Sequence, residues 1–113
     1  MIKIYHNPRC SKSRLGLTFL KESSRDFEVI KYLDTPLTVE KLLDIVKKLN
    51  IEPIDLIRKN EKVWKDNYKD KTLSNTELIS VMVENPKLIE RPIIVNGNKA
   101  VIGRPTENIN KII

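Results

Sequence analysis

Two short β-type runs stand so close together near the start of this chain that only one helix fits between them. Ile2, Ile4 and Tyr5 form a β-branched and aromatic run that reads as a strand. Phe27 to Leu33 (Phe-Glu-Val-Ile-Lys-Tyr-Leu) alternates well enough to be a second strand. Between them lies a polar bend, His6-Asn7-Pro8-Arg9, followed by an apolar pattern at Leu15, Leu17, Phe19 and Leu20. That pattern is best accommodated by a helix of about four turns that begins at Cys10 and ends near Ser23-Ser24. Strand, helix and strand in this space make a βαβ unit with a right-handed crossover.

The chain then changes register twice. Asp34-Thr35-Pro36 breaks it, and Thr38 is placed to cap a helix carrying Leu42, Leu43, Ile45, Val46 and Leu49. Residues 51–59 open with Pro53 near a first helical turn and read as a short helix. The stretch 61–72 is polar, with Trp64 and Tyr68 as anchors. Ser74-Asn75-Thr76-Glu77 is a capping box ahead of Leu78, Ile79, Met82 and Val83, a helix that stops before Pro86. Ile93-Ile94-Val95 and Lys99-Ala100-Val101-Ile102 flank Asn96-Gly97-Asn98, a hairpin signal because Asn-Gly suits positive φ. Thr106-Glu107 starts a short terminal helix. The order β-α-β, helices, β-β-α defines an α/β chain, read as one domain over 1–113 with a helical insertion at about 36–88. Its 113 residues suit a single domain.

Composition narrows the function. Hydrophobic residues are 40% and charged ones 32%, the balance of a globular protein. The one cysteine, Cys10, excludes an internal disulfide and favours a reducing, cytoplasmic setting. The first residues read as strand and not as a signal peptide, and no run approaches the ~20 apolar residues of a membrane helix. The net charge of +6 raises the question of an acidic partner. The basic residues are mostly lysines scattered along amphipathic stretches, without interleaved aromatics, so nucleic acid and membrane are not expected partners and a monomer is.

The arginines and Cys10 point to a small oxyanion instead. Cys10 lies after a strand and a bend, where the first helix begins. Unpaired N–H groups and the positive end of the helix dipole converge there and favour a thiolate, as do Arg9, Lys12 and Arg14 nearby. The same N–H groups form an anion site, so nucleophile and anion pocket coincide. Only six arginines occur in this lysine-preferring chain. Arg grips oxyanions through a planar fork that Lys lacks. Arg91 precedes Pro92 at the head of the hairpin, Arg104 precedes Pro105 just after it, and Arg58 closes the short helix ahead of Lys59-Asn60. Arg9 and Arg25 read as surface charges.

Four motifs together carry a resemblance. They are residues 6–14 (His-Asn-Pro-Arg-Cys-Ser-Lys-Ser-Arg), Leu56-Ile57-Arg58-Lys59-Asn60, residues 90–95 (Glu-Arg-Pro-Ile-Ile-Val) and Gly103-Arg104-Pro105. In this order they resemble the glutaredoxin-coupled, glutathione-dependent arsenate reductase family, which also includes the Spx-type regulators. The resemblance implies a thioredoxin-like fold with a helical insertion and a mixed four-stranded sheet. It implies that Pro92 is the cis-proline beside the catalytic cysteine, and that Cys10 is similar to the family's nucleophile on arsenate. Arg58, Arg91 and Arg104 match its three substrate-holding arginines, while His6, Ser13 and Arg14 match the positions flanking the cysteine. His6 at the strand end reads as electrostatic support of the thiolate, and Ser13, one turn after Cys10, as a hydrogen-bond donor to sulfur.

The implied reaction is thiol-dependent reduction of arsenate to arsenite. Glutathione is the thiol co-substrate, glutaredoxin the partner, and neither metal nor bound cofactor takes part. Two departures stand out: Ser13 replaces the second cysteine of the regulators' C-x-x-C switch, and Ser11-Lys12 differs from the small residues common after the reductase cysteine. Two alternatives stay open. One is an Spx-type transcription regulator that docks on RNA polymerase; the other is a glutathione-dependent reductase of another substrate. Because one cysteine cannot supply a disulfide, the second thiol must come from solution, which requires Cys10 to be accessible at a surface cleft.

Overall fold

A computed structural model describes residues 1–113, and the chain separates into two compact units, residues 1–35 with 91–113, and residues 36–90. The first unit is built on the βαβ start. β1 (Ile2–Tyr5) and β2 (Phe27–Ile30) pair in parallel, Ile2 opposite Phe27, with α1 (Ser11–Glu22) as the connection. β3 (Ile93–Asn96) and β4 (Lys99–Ile102) form the hairpin, turning at Gly97 with φ +63°. β3 runs antiparallel to β1, which gives one mixed sheet of order β2-β1-β3-β4. The sheet is therefore closed in the middle by β1 and β3, whose residues Ile4, Ile93 and Ile94 are fully buried.

One core cluster holds this unit together: Ile2, Ile4, Leu20, Ile94 and Ile109, with Leu17, Phe19, Phe27, Val101, Ile112 and Ile113 packed around it. Ile109 comes from a terminal 3₁₀ segment, Thr106–Lys111, and not from the α-helical turn expected there. α1 presents Ser13, Gly16 and Leu20 to the sheet. Leu15, read as part of the apolar stripe, is 51% exposed. The reason is spacing: 13, 16 and 20 share one helix face, and small residues on it let the helix sit close against Pro92. A Cβ on Gly16 would stand 2.8 Å from Pro92 Cγ, and one on Gly103 3.0 Å from the same atom. The second strand is also shorter than expected, because the chain turns at Lys31, whose carbonyl accepts from the N–H groups of Asp34 and Thr35.

The second unit is helical. α2 (Val39–Leu49) starts at Thr38, whose hydroxyl accepts from the Lys41 N–H at 3.1 Å, and ends at Asn50 with φ +57°. The segment opened by Pro53 is only a 3₁₀ turn, Pro53–Leu56. Within the polar stretch 61–72, where the sequence pattern promised anchors but no helix, α3 (Lys62–Asn67) forms and buries Trp64. α4 (Asn75–Glu84) carries both arms of the Ser74–Glu77 capping box. α2 and α4 pack against each other, with Leu42, Ile45 and Val46 buried on the first and Leu78, Ile79, Val81 and Met82 on the second. No helix of the chain is long and apolar enough to cross a membrane.

Candidate active site

Cys10 is the N-cap of α1, with extended backbone (φ −97°, ψ 123°) and a side chain that makes no capping bond. Its N–H donates to the Asn7 carbonyl at 3.0 Å, and its carbonyl accepts the first helical bond from Arg14. The loop between β1 and the helix is thus wound tightly enough to present the sulfur at the start of α1, where the helix N–H groups are unpaired. Cys10 is 9% exposed and counts among the buried residues, so it does not sit in the open cleft that the need for an external thiol suggested.

Two side chains set the loop's shape from beneath. The Ser13 hydroxyl is fully buried and lies 2.7 Å from His6 Nδ1. It also accepts from the Asn7 N–H at 3.0 Å. These two contacts tie the end of the strand, the bend and the start of the helix together. Burial, reinforced by the positive charge of Lys31, lowers the His6 pKa from its ordinary 6.5 and disfavours the charged ring. The hydrogen-bond partners of the Ser13 hydroxyl are His6 and Asn7. Together the pair fixes the loop that carries Cys10.

The cation at the sulfur is Arg104. Its Nη2 lies 3.6 Å from Cys10 Sγ, and its Nε donates to the Arg91 carbonyl at 2.7 Å. One planar group therefore links Cys10 at the helix start to the head of the hairpin, a reach across the sequence that the rigid guanidinium fork makes possible. The Arg91–Pro92 peptide bond is cis, as is Arg104–Pro105, for which the sequence held no sign. Arg91 Nε is buried without a hydrogen-bond partner, an N–H donor still available for a ligand. Arg14 is exposed and spends its guanidinium on the Pro8 carbonyl at 2.9 Å, bracing the loop from outside.

Arg58 belongs to the helical unit. Its backbone N–H donates to the Leu88 carbonyl at 2.7 Å beside the bridge between Ile57 and Ile89, and its guanidinium pairs with Glu61 and, at 3.8 Å, with Glu90. No three His, Cys, Asp or Glu side chains come together as a metal site. The residue that sequence reasoning passed over is Asn7. Its side-chain carbonyl accepts from Arg9 N–H, and its backbone links Ser13 to Cys10. The Asn-Pro pair in a bend between strand and helix was the signal that could have found it.

A mixed sheet with a cysteine capping the first helix and a cis-proline heading the hairpin defines an α/β protein of thioredoxin-like fold. The chain belongs to the ArsC family, whose pattern it matches over residues 5–112. It is 48% identical to the uncharacterised protein YfgD of Escherichia coli, over 99% of this chain and 96% of that one. It is 42% identical to an arsenate reductase of Neisseria meningitidis, covering 99% and 97%. Among solved structures, an arsenate reductase from Vibrio cholerae superposes with a TM-score of 0.95 at 42% identity, covering 99% of this chain and 97% of that one.

Proposed function

We propose that the protein reduces arsenate to arsenite, with Cys10 as nucleophile and an external thiol as reductant. The observation that carries the reading is the Arg104 guanidinium 3.6 Å from Cys10 Sγ: it places a fixed cation beside the sulfur, where an anionic nucleophile and an anionic substrate both need one. In the first step the Cys10 thiolate attacks arsenic and a hydroxide leaves as water, forming a sulfur–arsenic(V) bond. A thiol from solution, of the glutathione class, then attacks Cys10 sulfur. The sulfur–arsenic bond breaks with its electron pair going to arsenic, and arsenite leaves. The two electrons come from the two sulfurs, which end as a mixed disulfide. A glutaredoxin-type dithiol returns Cys10 to the thiol by exchange.

Arg104 and the unpaired Arg91 Nε–H are the groups proposed to hold the oxyanion, and the unpaired N–H groups at the start of α1 add to them. Arg14, His6 and Ser13 act on the loop and not on substrate. Arg58 is included on the strength of the resemblance; a raised KM for arsenate with unchanged fold in Arg58→Lys would support that role. Membership of the ArsC family and full-length similarity to proteins called arsenate reductases favour this substrate over other oxyanions. The test is arsenite release with glutathione and glutaredoxin supplied and each omitted in turn, using Cys10→Ser as the inactive comparison. Turnover without any thiol, or turnover by Cys10→Ser, would overturn the scheme.

A further inference from the structure

The helical unit carries a groove that the thiol chemistry does not use, about 670 Å³ in volume and lined entirely by residues between 54 and 78. Its floor is apolar: Trp64 and Leu78 are buried and Leu73 is half-buried. Its rim holds Lys59, Lys65, Lys69 and Lys71, all exposed, and no carboxylate lines it. None of these four ammonium groups has an ion-pair partner, whereas Lys48 and Lys62 elsewhere in the same unit are paired with Asp44 and Asp66. Lys71 instead lies 5.7 Å from the centre of the Tyr68 ring, and that ring stacks at a tilt on Trp64. Nearby Glu52 is engaged by Asn75 at 3.4 Å.

We infer that this groove is a docking site for an acidic segment of a partner protein that carries an apolar anchor side chain between carboxylates. Two features select that occupant. Four unpaired positive charges around one opening call for several negative charges spread over the width of a peptide, since a single small anion meets only one or two of them. The apolar floor rewards an inserted Leu- or Phe-like side chain, and the volume falls in the roughly 300–1,000 Å³ range of sites that enclose such groups. A nucleic acid is disfavoured because single-strand binding needs exposed stacking aromatics, and Trp64 is buried while Tyr68 is already engaged with Lys71 and Trp64. The inference is independent of the proposed reductase activity, for every residue it uses lies in residues 36–90.

Trp64 is the only tryptophan in the chain, so its fluorescence reports directly on the groove floor. The intact protein is titrated with a synthetic peptide of glutamates around Leu and Phe, free of Trp and Tyr. The parallel titrations use an analogue with Gln for Glu, one with Ser for Leu and Phe, inorganic phosphate, and single-stranded RNA. Binding heat is measured alongside. The expected result is saturable binding of the parent peptide alone, weakened at least about tenfold by Lys65→Glu with Lys69→Glu and by high salt. Both lysines are exposed, so the variant is expected to fold, which far-UV circular dichroism checks. Equal binding of the Gln analogue, equal binding of the Ser analogue, tighter binding of RNA or phosphate, or no binding heat up to about 1 mM peptide would each overturn the inference.

Discussion

Replacing Ser13 with alanine tests whether the buried loop-fixing pair is real. Its hydroxyl is fully buried and serves two partners, His6 Nδ1 at 2.7 Å and the Asn7 N–H at 3.0 Å. Removing it leaves both without a partner. An unsatisfied buried group costs about 1–3 kcal/mol, with Asn7 at the low end because it is only half-buried and water can reach it. Alanine returns about 0.5 kcal/mol through its higher helix propensity. The balance is a loss of about 2 kcal/mol, or roughly 8 °C in Tm for a chain of this length. Urea unfolding followed by far-UV circular dichroism measures it. Because the pair holds the loop that carries Cys10, the variant should also change the rate at which iodoacetamide modifies the thiol. An exposed helix serine would instead give no loss or a slight gain in stability. A change smaller than about 0.5 kcal/mol would therefore refute the buried-pair argument.

Three further outcomes are expected. Gly16→Ala places a Cβ 2.8 Å from Pro92 Cγ; the ring is tied to the main chain and cannot rotate away, so an overpacking cost of about 1–3 kcal/mol outweighs the roughly 1 kcal/mol helix gain. A variant more stable than the parent in urea would show that the contact relaxes freely. His6 is the only histidine, and its folded-state pKa lies below 6.5, chiefly through burial. As pH falls through about 6.5 the unfolded chain binds a proton that the folded chain refuses, so stability declines until the folded-state value is passed. Urea midpoints at pH 7.5 and 5.5 should show this decline in the parent and lose it in His6→Gln; an equal decline in both would place the effect elsewhere. Arg104→Lys exchanges a fork that spans the Arg91 carbonyl and Cys10 Sγ for a point charge that serves one of them, and arsenite release should slow by about tenfold or more with the fold intact. An unchanged rate would remove Arg104 from the site.

How far these features could be read from the sequence depended on whether the signal was local. The βαβ start, the Asn-Gly hairpin, the Thr38 cap and the Ser74–Glu77 box are local rules, and each element appears where its rule applies. The buried face of α1 is not a local matter. Ser13 and Gly16 face the sheet because Pro92, far away in sequence, comes close there, and the apolar Leu15 is left outside. The same holds for His6. From the residue alone His6 reads as a cation beside the thiolate, whereas burial and Lys31 disfavour its charged form and Ser13 gives it a structural partner. Arg104 was recognisable as an arginine in an unusual place before a proline, but its bridge from the Arg91 carbonyl to the sulfur exists only once the hairpin folds back beside β1.

Cys10 and the oxyanion are proposed to share one site under Arg104. The most direct measurement is the rate of Cys10 alkylation by iodoacetamide, read by intact mass, in the presence of arsenate or phosphate. As the chain's only cysteine, Cys10 gives an unambiguous mass shift. Arsenate is expected to slow alkylation in a saturable way, phosphate to do so more weakly, and Arg104→Lys to abolish most of the protection. An alkylation rate that is the same with and without saturating arsenate in the parent protein would contradict the shared site.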